Sequence, residues 1–143
     1  MAVKRITPKE SHELMQAEGY QYVDVRTQAE FESGHPKGAY NVPVALAAPG
    51  GMSPNPDFLP VIQAAFAKDA KLVIGCQSGG RSQRAVQALE AAGYTQLVEQ
   101  RAGWGGSRDP FGRVLDAGWQ AEGLPSESGP DAERGYKALK DRK

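Results

Sequence analysis

Cys76 is the single cysteine in a chain of 143 residues, and the stretch after it has the pattern of a turn and a helix start. Leu72, Val73 and Ile74 make a short apolar run, Ser78, Gly79 and Gly80 interrupt it, and Ala85, Val86, Ala88 and Leu89 then recur at helical spacing. The pattern predicts strand, tight loop, helix. A helix opening near Arg81 leaves its first amides without intrahelical partners and carries partial positive charge at that end, so the loop suits an anion. Gly79 and Gly80 let successive amides turn inward into an anion-binding concavity. At its rim the Cys76 thiolate is favoured by the dipole, the loop amides and Arg81, the setting in which a thiol pKa falls well below ~8.5. The residues therefore predict a nucleophile beside an anion site. A buried core residue is the usual fate of a reduced cysteine, but it would not account for two glycines and an arginine at this spacing.

The elements that hold this loop follow from caps and periodicity. Ile6 starts a short edge strand; Thr7, Pro8 and Glu10 read as N-cap, first-turn proline and capping-box partner of a helix running to about Glu18, with Gly19 as its stop. Leu14 and Met15 are expected to face inward and His12 to be a solvated surface residue. Tyr20 to Val25 reads as a strand. Ligands of open α/β sheets sit beyond the carboxyl ends of strands. Arg26 therefore either lines the mouth beside the loop after Ile74 or joins Asp24 in anchoring neighbouring loops, with Glu30 or Glu32 as further partners. A short helix is expected over Gln28 to Ser33, a turn over Gly34 to Gly38 and a strand over Ala39 to Val44. Residues 45–57, rich in Pro, Gly and small side chains, read as irregular loop. Phe58, Ile62, Ala65 and Phe66 mark a core-facing helix that starts near Asn55 and Pro56. Gly93 ends the helix after the cysteine loop, Gln96 to Gln100 is the last sheet strand, and Trp104 just behind it is a candidate pocket wall.

Cys76, Gly79 and Arg81 with Ser82 resemble the active-site loop of the rhodanese (thiosulfate sulfurtransferase) superfamily, whose signature is Cys, two variable residues, Gly, a variable residue, then Arg or Thr. Tyr22 to Arg26 (YVDVR) is similar to that family's first central strand. Phe31 to Val42 (FESGHPKGAYNV) is similar to its aromatic, Gly-His, Gly-Ala segment, with Pro36 ahead of Lys37 where the family usually has an apolar residue and then Pro. The likeness covers roughly residues 5–125, with gaps. It implies an α/β fold with a central, mostly parallel sheet flanked by helices. It also implies a sulfurtransferase, in which the Cys76 thiolate takes the outer sulfur of thiosulfate or a similar small donor anion. The resulting persulfide then passes that sulfur to cyanide, a thiol or a partner protein. On this resemblance Gln77, Ser78, Gly79 and Gly80 are expected to frame the anion, Arg81 to stabilise the leaving sulfite, and Ser82, with Ser78 more weakly, to add a hydroxyl donor. Arg84 either strengthens the positive field or faces solvent. Cysteine-dependent phosphatases and arsenate reductases use the same physics, but the related phosphatases place five residues between Cys and Arg where this chain has four. A binding module, or a carrier of persulfide for one dedicated partner, is the remaining class.

Composition narrows the field further. The 17 basic and 17 acidic residues cancel, which gives no case for nucleic acid or an anionic membrane surface as a partner. No apolar run approaches the ~18 residues of a spanning helix, and MAVKRITPKE has no hydrophobic signal core, so the expected location is the cytoplasm. Two histidines and one cysteine do not make a zinc site, and no cofactor is implied. One cysteine also excludes an internal disulfide and a resolving thiol. The chain reads as one domain over residues 1–125 followed by a charged tail over residues 126–143, expected to be solvated or loosely docked. Between Gly106 and Trp119 lies an extra piece, SRDPFGRVLDAG, that the family pattern lacks. It either covers the active-site mouth or is a surface excursion whose Phe111 tucks onto the core.

Overall fold

Capping interactions fix where the first helices begin. In the computed structural model, which describes residues 3–77 and 80–141, β1 (Lys4–Ile6) runs into α1 (Pro8–Glu18) through a complete capping box between Thr7 and Glu10. Gly19 ends α1 in the left-handed conformation, at φ 71°. A second capping box, Thr27 with Glu30, opens α2 (Gln28–Ser33) after β2 (Gln21–Asp24). Next come β3 (His35–Pro36), β4 (Tyr40–Asn41), β5 (Ala45–Ala48), β6 (Gly51–Pro54), α3 (Phe58–Ala65), β7 (Lys71–Gly75), α4 (Gly80–Ala91) and β8 (Gln96–Gln100). The C-terminal part holds β9 (Ser107–Arg108), β10 (Val114–Asp116), β11 (Ser126–Glu127) and α5 (Tyr136–Asp141).

Five of the strands form one parallel sheet in the order β1-β8-β7-β2-β4. Side chains alternate across it, as strand geometry requires. Val23, Leu72, Ile74 and Leu97 face a core shared with Phe58, Val61 and Ile62 of α3 and Ala85, Val86 and Leu89 of α4. Ile6, Tyr22, Val73 and Val98 face the opposite core with Phe31 and Trp119, over which Leu14 and Met15 of α1 pack. The expected α/β architecture, a parallel sheet flanked by helices, is the one observed.

Four local expectations are corrected. Residues 45–54 are a hairpin of β5 with β6, turned at Pro49 and Gly50, rather than irregular loop. The predicted strand over Ala39 to Val44 shortens to β4, because Pro43 has no N–H. Val42 and Val44 still donate to the carbonyls of Asp24 and Val25. His12 is half-buried, with its ring edge-on to Trp119 at 5.8 Å. The C-terminal segment is docked, since Tyr136 and Leu139 of α5 are buried in the α3 and α4 core and β11 pairs with β3. The Tyr136 hydroxyl sits 3.0 Å from Asn55 Nδ2, which also donates to the carbonyl of Pro43. Asn55 is thereby drawn inward, and α3 starts at Phe58 after Asp57. A solvated tail would tolerate truncation of Leu139. Because its side chain is fully buried, Leu139→Ala should instead cost about 2–5 kcal/mol in urea unfolding.

Candidate active site

The loop between β7 and α4 meets the ends of β2 and β8 at one edge of the sheet. Cys76 comes directly after the last residue of β7 and is 2% exposed. Its carbonyl accepts from the Trp104 amide at 2.7 Å, and the carbonyl of Gln77 accepts from Gly105 at 2.9 Å. The segment after β8 is thus laced to the cysteine loop by main-chain bonds. Gly103, at φ 67°, makes this possible, since a Cβ there would collide with the backbone of Cys76 and Gln77. Trp104 is half-buried against the same loop, which suits it to a wall of the site. Gly80 opens α4, so the helix begins one residue before the predicted Arg81. Ser78 and Gly79 lie outside the described residues.

Arg26 is an anchor rather than a group at the mouth. It is 1% exposed, and its guanidinium bonds both oxygens of Asp24, the carbonyl of Gly34 at 2.6 Å and Gln77 Oε1 at 3.2 Å. Its Cζ lies 5.4 Å from the centroid of the Trp104 ring. These hydrogen bonds match the anchoring alternative, since they join Asp24, Gly34 and Gln77 of the cysteine loop. Glu30 and Glu32, suggested as its further partners, do not pair with it.

Arg81 is also paired. Its two terminal nitrogens grip the carboxylate of Glu30 at 2.6 and 2.9 Å, tying the first turn of α4 to the first turn of α2. The fork also holds Glu30 well below the usual carboxylate range, at about 2, with the Thr27 amide assisting and partial burial opposing. The same pairing raises the Arg81 pKa. Arg81 is therefore near Cys76 in sequence and in space, but its charge is directed at a carboxylate from 51 positions away. Among the described residues, Ser82 is a predicted site residue whose side chain reaches the sulfur. Cys76 Sγ donates to Ser82 Oγ at 3.5 Å, and Ser82 Oγ donates to Glu99 Oε2 at 2.6 Å. Glu99, 2% exposed, accepts in turn from Arg5 Nε at 2.8 Å.

Glu99 is a residue beside Cys76 that the sequence reading missed, and Glu30, named there as a partner of Arg26, pairs with Arg81 instead. For Glu30 a signal exists in Thr27-x-x-Glu30, a capping-box spacing that fixes the carboxylate at a helix start. For Glu99 the signal is a charged residue two positions after Leu97, on the face of β8 that should be apolar.

A rhodanese-like domain family model matches residues 7–106. The chain belongs to the rhodanese-like domain family. It is 38% identical over 118 residues to thiosulfate sulfurtransferase 16, chloroplastic, of Arabidopsis thaliana, a match that covers 82% of this chain and 88% of that one. It is 32% identical over 109 residues to protein HIGH ARSENIC CONTENT 1, mitochondrial, of the same plant, covering 76% of this chain and 60% of that one. Two further plant relatives are matched over about half of their length. The crystal structure of Rv0390 from M. tuberculosis superposes with a TM-score of 0.74 at 28% identity, over 90% of this chain and all of that one. The family match ends at Gly106, so the β9-β10 hairpin lies beyond it. Phe111 in that hairpin is 89% exposed and tucks onto no core. No helix among the described residues is long and apolar enough to cross a membrane.

The Arg81–Glu30 pair gives a defined pH signature. A carboxyl whose pKa is depressed by folding contributes stability that is complete above its unfolded value, 4.5, and is lost as pH falls through the folded value of about 2. Glu30→Gln should therefore be less stable than the parent protein near neutral pH. The gap in denaturant midpoint should close as the pH is lowered from about 5 toward 2.

Proposed function

We propose that the protein is a sulfurtransferase that takes the sulfane sulfur of thiosulfate onto Cys76 and delivers it from a persulfide to a thiophilic acceptor, with Gln77, Ser78, Gly79 and Gly80 framing the donor. The observation that carries this reading is the position of Cys76, at the carboxyl end of β7 and at the entry to α4, with a hydroxyl 3.5 Å from its sulfur. The family and the name of the Arabidopsis relative support thiosulfate as the donor class. In the first step the thiolate attacks the outer sulfur, an S–S bond forms to Cys76, and the bond to the sulfonate sulfur breaks with its electron pair to release sulfite. In the second step the acceptor attacks that outer sulfur and Cys76 leaves as thiolate. Arsenate, the substrate of the arsenate-reductase alternative, is the second substrate to test, and the name of the other Arabidopsis relative refers to arsenic content.

Because no other thiol is present in the chain, the captured sulfur has no internal destination and must wait for the acceptor. Intact-mass spectrometry of protein treated with thiosulfate alone should show one added sulfur atom. That atom should be lost on adding cyanide or a small thiol and never gained by Cys76→Ser. Sulfite release without the adduct would mean direct transfer between bound substrates. Arsenate consumption with no sulfite release from thiosulfate would replace the reading altogether.

Arg81 enters through competition. An incoming dianion and Glu30 seek the same guanidinium fork, so donor binding has to loosen the Arg81–Glu30 pair. Arg81→Ala should slow sulfite release by as much as about a hundredfold, the loss on removing one donor to developing oxyanion charge. Glu30→Gln should lower the KM for thiosulfate. Unchanged kinetics in both variants would remove Arg81 from donor binding.

A further inference from the structure

The hydrogen-bond chain beside Cys76 runs in one direction, from sulfur to hydroxyl to carboxylate. Cys76 Sγ donates to Ser82 Oγ at 3.5 Å, and Ser82 Oγ donates to Glu99 Oε2 at 2.6 Å. Glu99 comes from β8, whose register sets it beside Ile74 on one flank and Arg5 on the other. A carboxylate 2% exposed on the core side of a sheet has to serve structure or chemistry to offset its desolvation. Its pairing with Arg5 is lopsided as a structural device, because the Arg5 side chain is 47% exposed while that of Glu99 is 3% exposed. A surface pair of that kind would hold equally well outside the core.

We propose that Glu99 receives the proton of Cys76 through Ser82 when the thiol is activated. The S–H bond breaks and its proton passes to Ser82 Oγ, while the original Ser82 hydroxyl proton passes to Glu99 Oε2. No atom is gained or lost and no oxidant is needed. Both hydrogen bonds survive the exchange with reversed polarity. Protonated Glu99 now donates to Ser82, and Ser82 donates to the thiolate it has just created. The negative charge moves from Glu99 to Cys76, toward the first turn of α4 where helix amides favour it. Arg5 loses its partner, yet remains hydrated. It lines a cavity of about 300 Å³ with Gly80, Gln83, Arg101, Ser107 and Asp116.

The other charged groups around the sulfur are already balanced, which is why a nearby proton acceptor matters. Arg81 of α4 is gripped by Glu30 of α2, and Arg26 by Asp24 at the end of β2. Arg101, after β8, is held by Asp116 of β10. Tyr22 of β2 is kept as the neutral phenol, burial pushing its pKa up. No unpaired guanidinium among these groups is aimed at the sulfur to draw off its proton by charge alone.

This inference rests on Cys76 being the sulfur carrier, but its test does not. The rate of Cys76 alkylation by iodoacetamide, tracked against pH, reports thiolate without any sulfur donor. In the parent protein, alkylation should persist on the acid side because a carboxylate stands ready to take the thiol proton. Glu99→Gln keeps a hydrogen-bonding group but cannot accept a proton. Its alkylation should be about tenfold slower near pH 6.5, the effect of a one-unit shift, and should match the parent at high pH. Ser82→Ala, which leaves the Arg5–Glu99 pair intact, should give the same displacement, and the double variant no more than either alone. If the carboxylate merely repels the thiolate, Glu99→Gln will react at lower pH than the parent, and the proposal is overturned. An unmoved profile in Ser82→Ala overturns it as well. Normal alkylation behaviour with no persulfide formed would instead count against the sulfurtransferase reading alone.

Discussion

A guanidinium sealed from water has to find partners for its donors, and the way Arg26 does so organises the catalytic end of this molecule. Leaving either it or Asp24 unpaired would strand a buried charge, a cost of several kcal/mol. The pair therefore dictates geometry. Asp24 turns back from the end of β2 to accept from the Arg26 amide and side chain, and Gly34 at the end of α2 offers its carbonyl. Gln77 leans in from the cysteine loop, and the Trp104 ring covers the guanidinium face. The ends of β2 and α2, the cysteine loop and the segment after β8 are thus held together around one side chain that is 1% exposed.

Electrostatics around the sulfur obey the same economy of pairing. The basic residues at this end of the sheet, Arg5, Arg26 and Arg81, each face a carboxylate drawn from a different element. Their charges cancel locally while the α4 amides remain. A site built this way discriminates by competition, because an anion must offer Arg81 more than Glu30 does. Glu30 also caps α2 through Thr27, so the competition is felt at a helix start as well as at the loop.

Features set by near neighbours were legible in the residues, and features set across the fold were not. Thr7, Pro8, Glu10 and Gly19 bound α1 at both ends, and the apolar residues of Gln96 to Gln100 mark β8, because caps and alternation act within a few positions. The hairpin of β5 and β6, ALAA paired with GMSP, carries no alternating signal of β-branched or aromatic residues, and the Gly50-Gly51 pair was its clue. The docking of α5 depends on Tyr136 and Leu139, two apolar residues in a charged stretch, finding Asn55 and the α3 core far away in sequence. At the site, Cys76 and Ser82 were recognisable from their loop. The direction in which Arg81 points was not, because it is decided by Glu30, and Glu99 enters from a strand that reads as plain sheet.

The pairing of β1 with β8 joins the first strand of the chain to the last strand of the sheet, and Arg5 meets Glu99 across 94 positions. Contacts of that span are closed late, since the entropy of bringing distant segments together precedes any reward from the contact. Cys76, Ser82 and α4 lie in the intervening chain and can be in place before β1 arrives. The thiol and its hydroxyl neighbour then exist before Glu99 has its cation, and the charge balance of the pocket is completed only by the strand that closes the sheet. The charge balance of the site therefore depends on the longest-range strand pairing of the sheet as well as on its own loop.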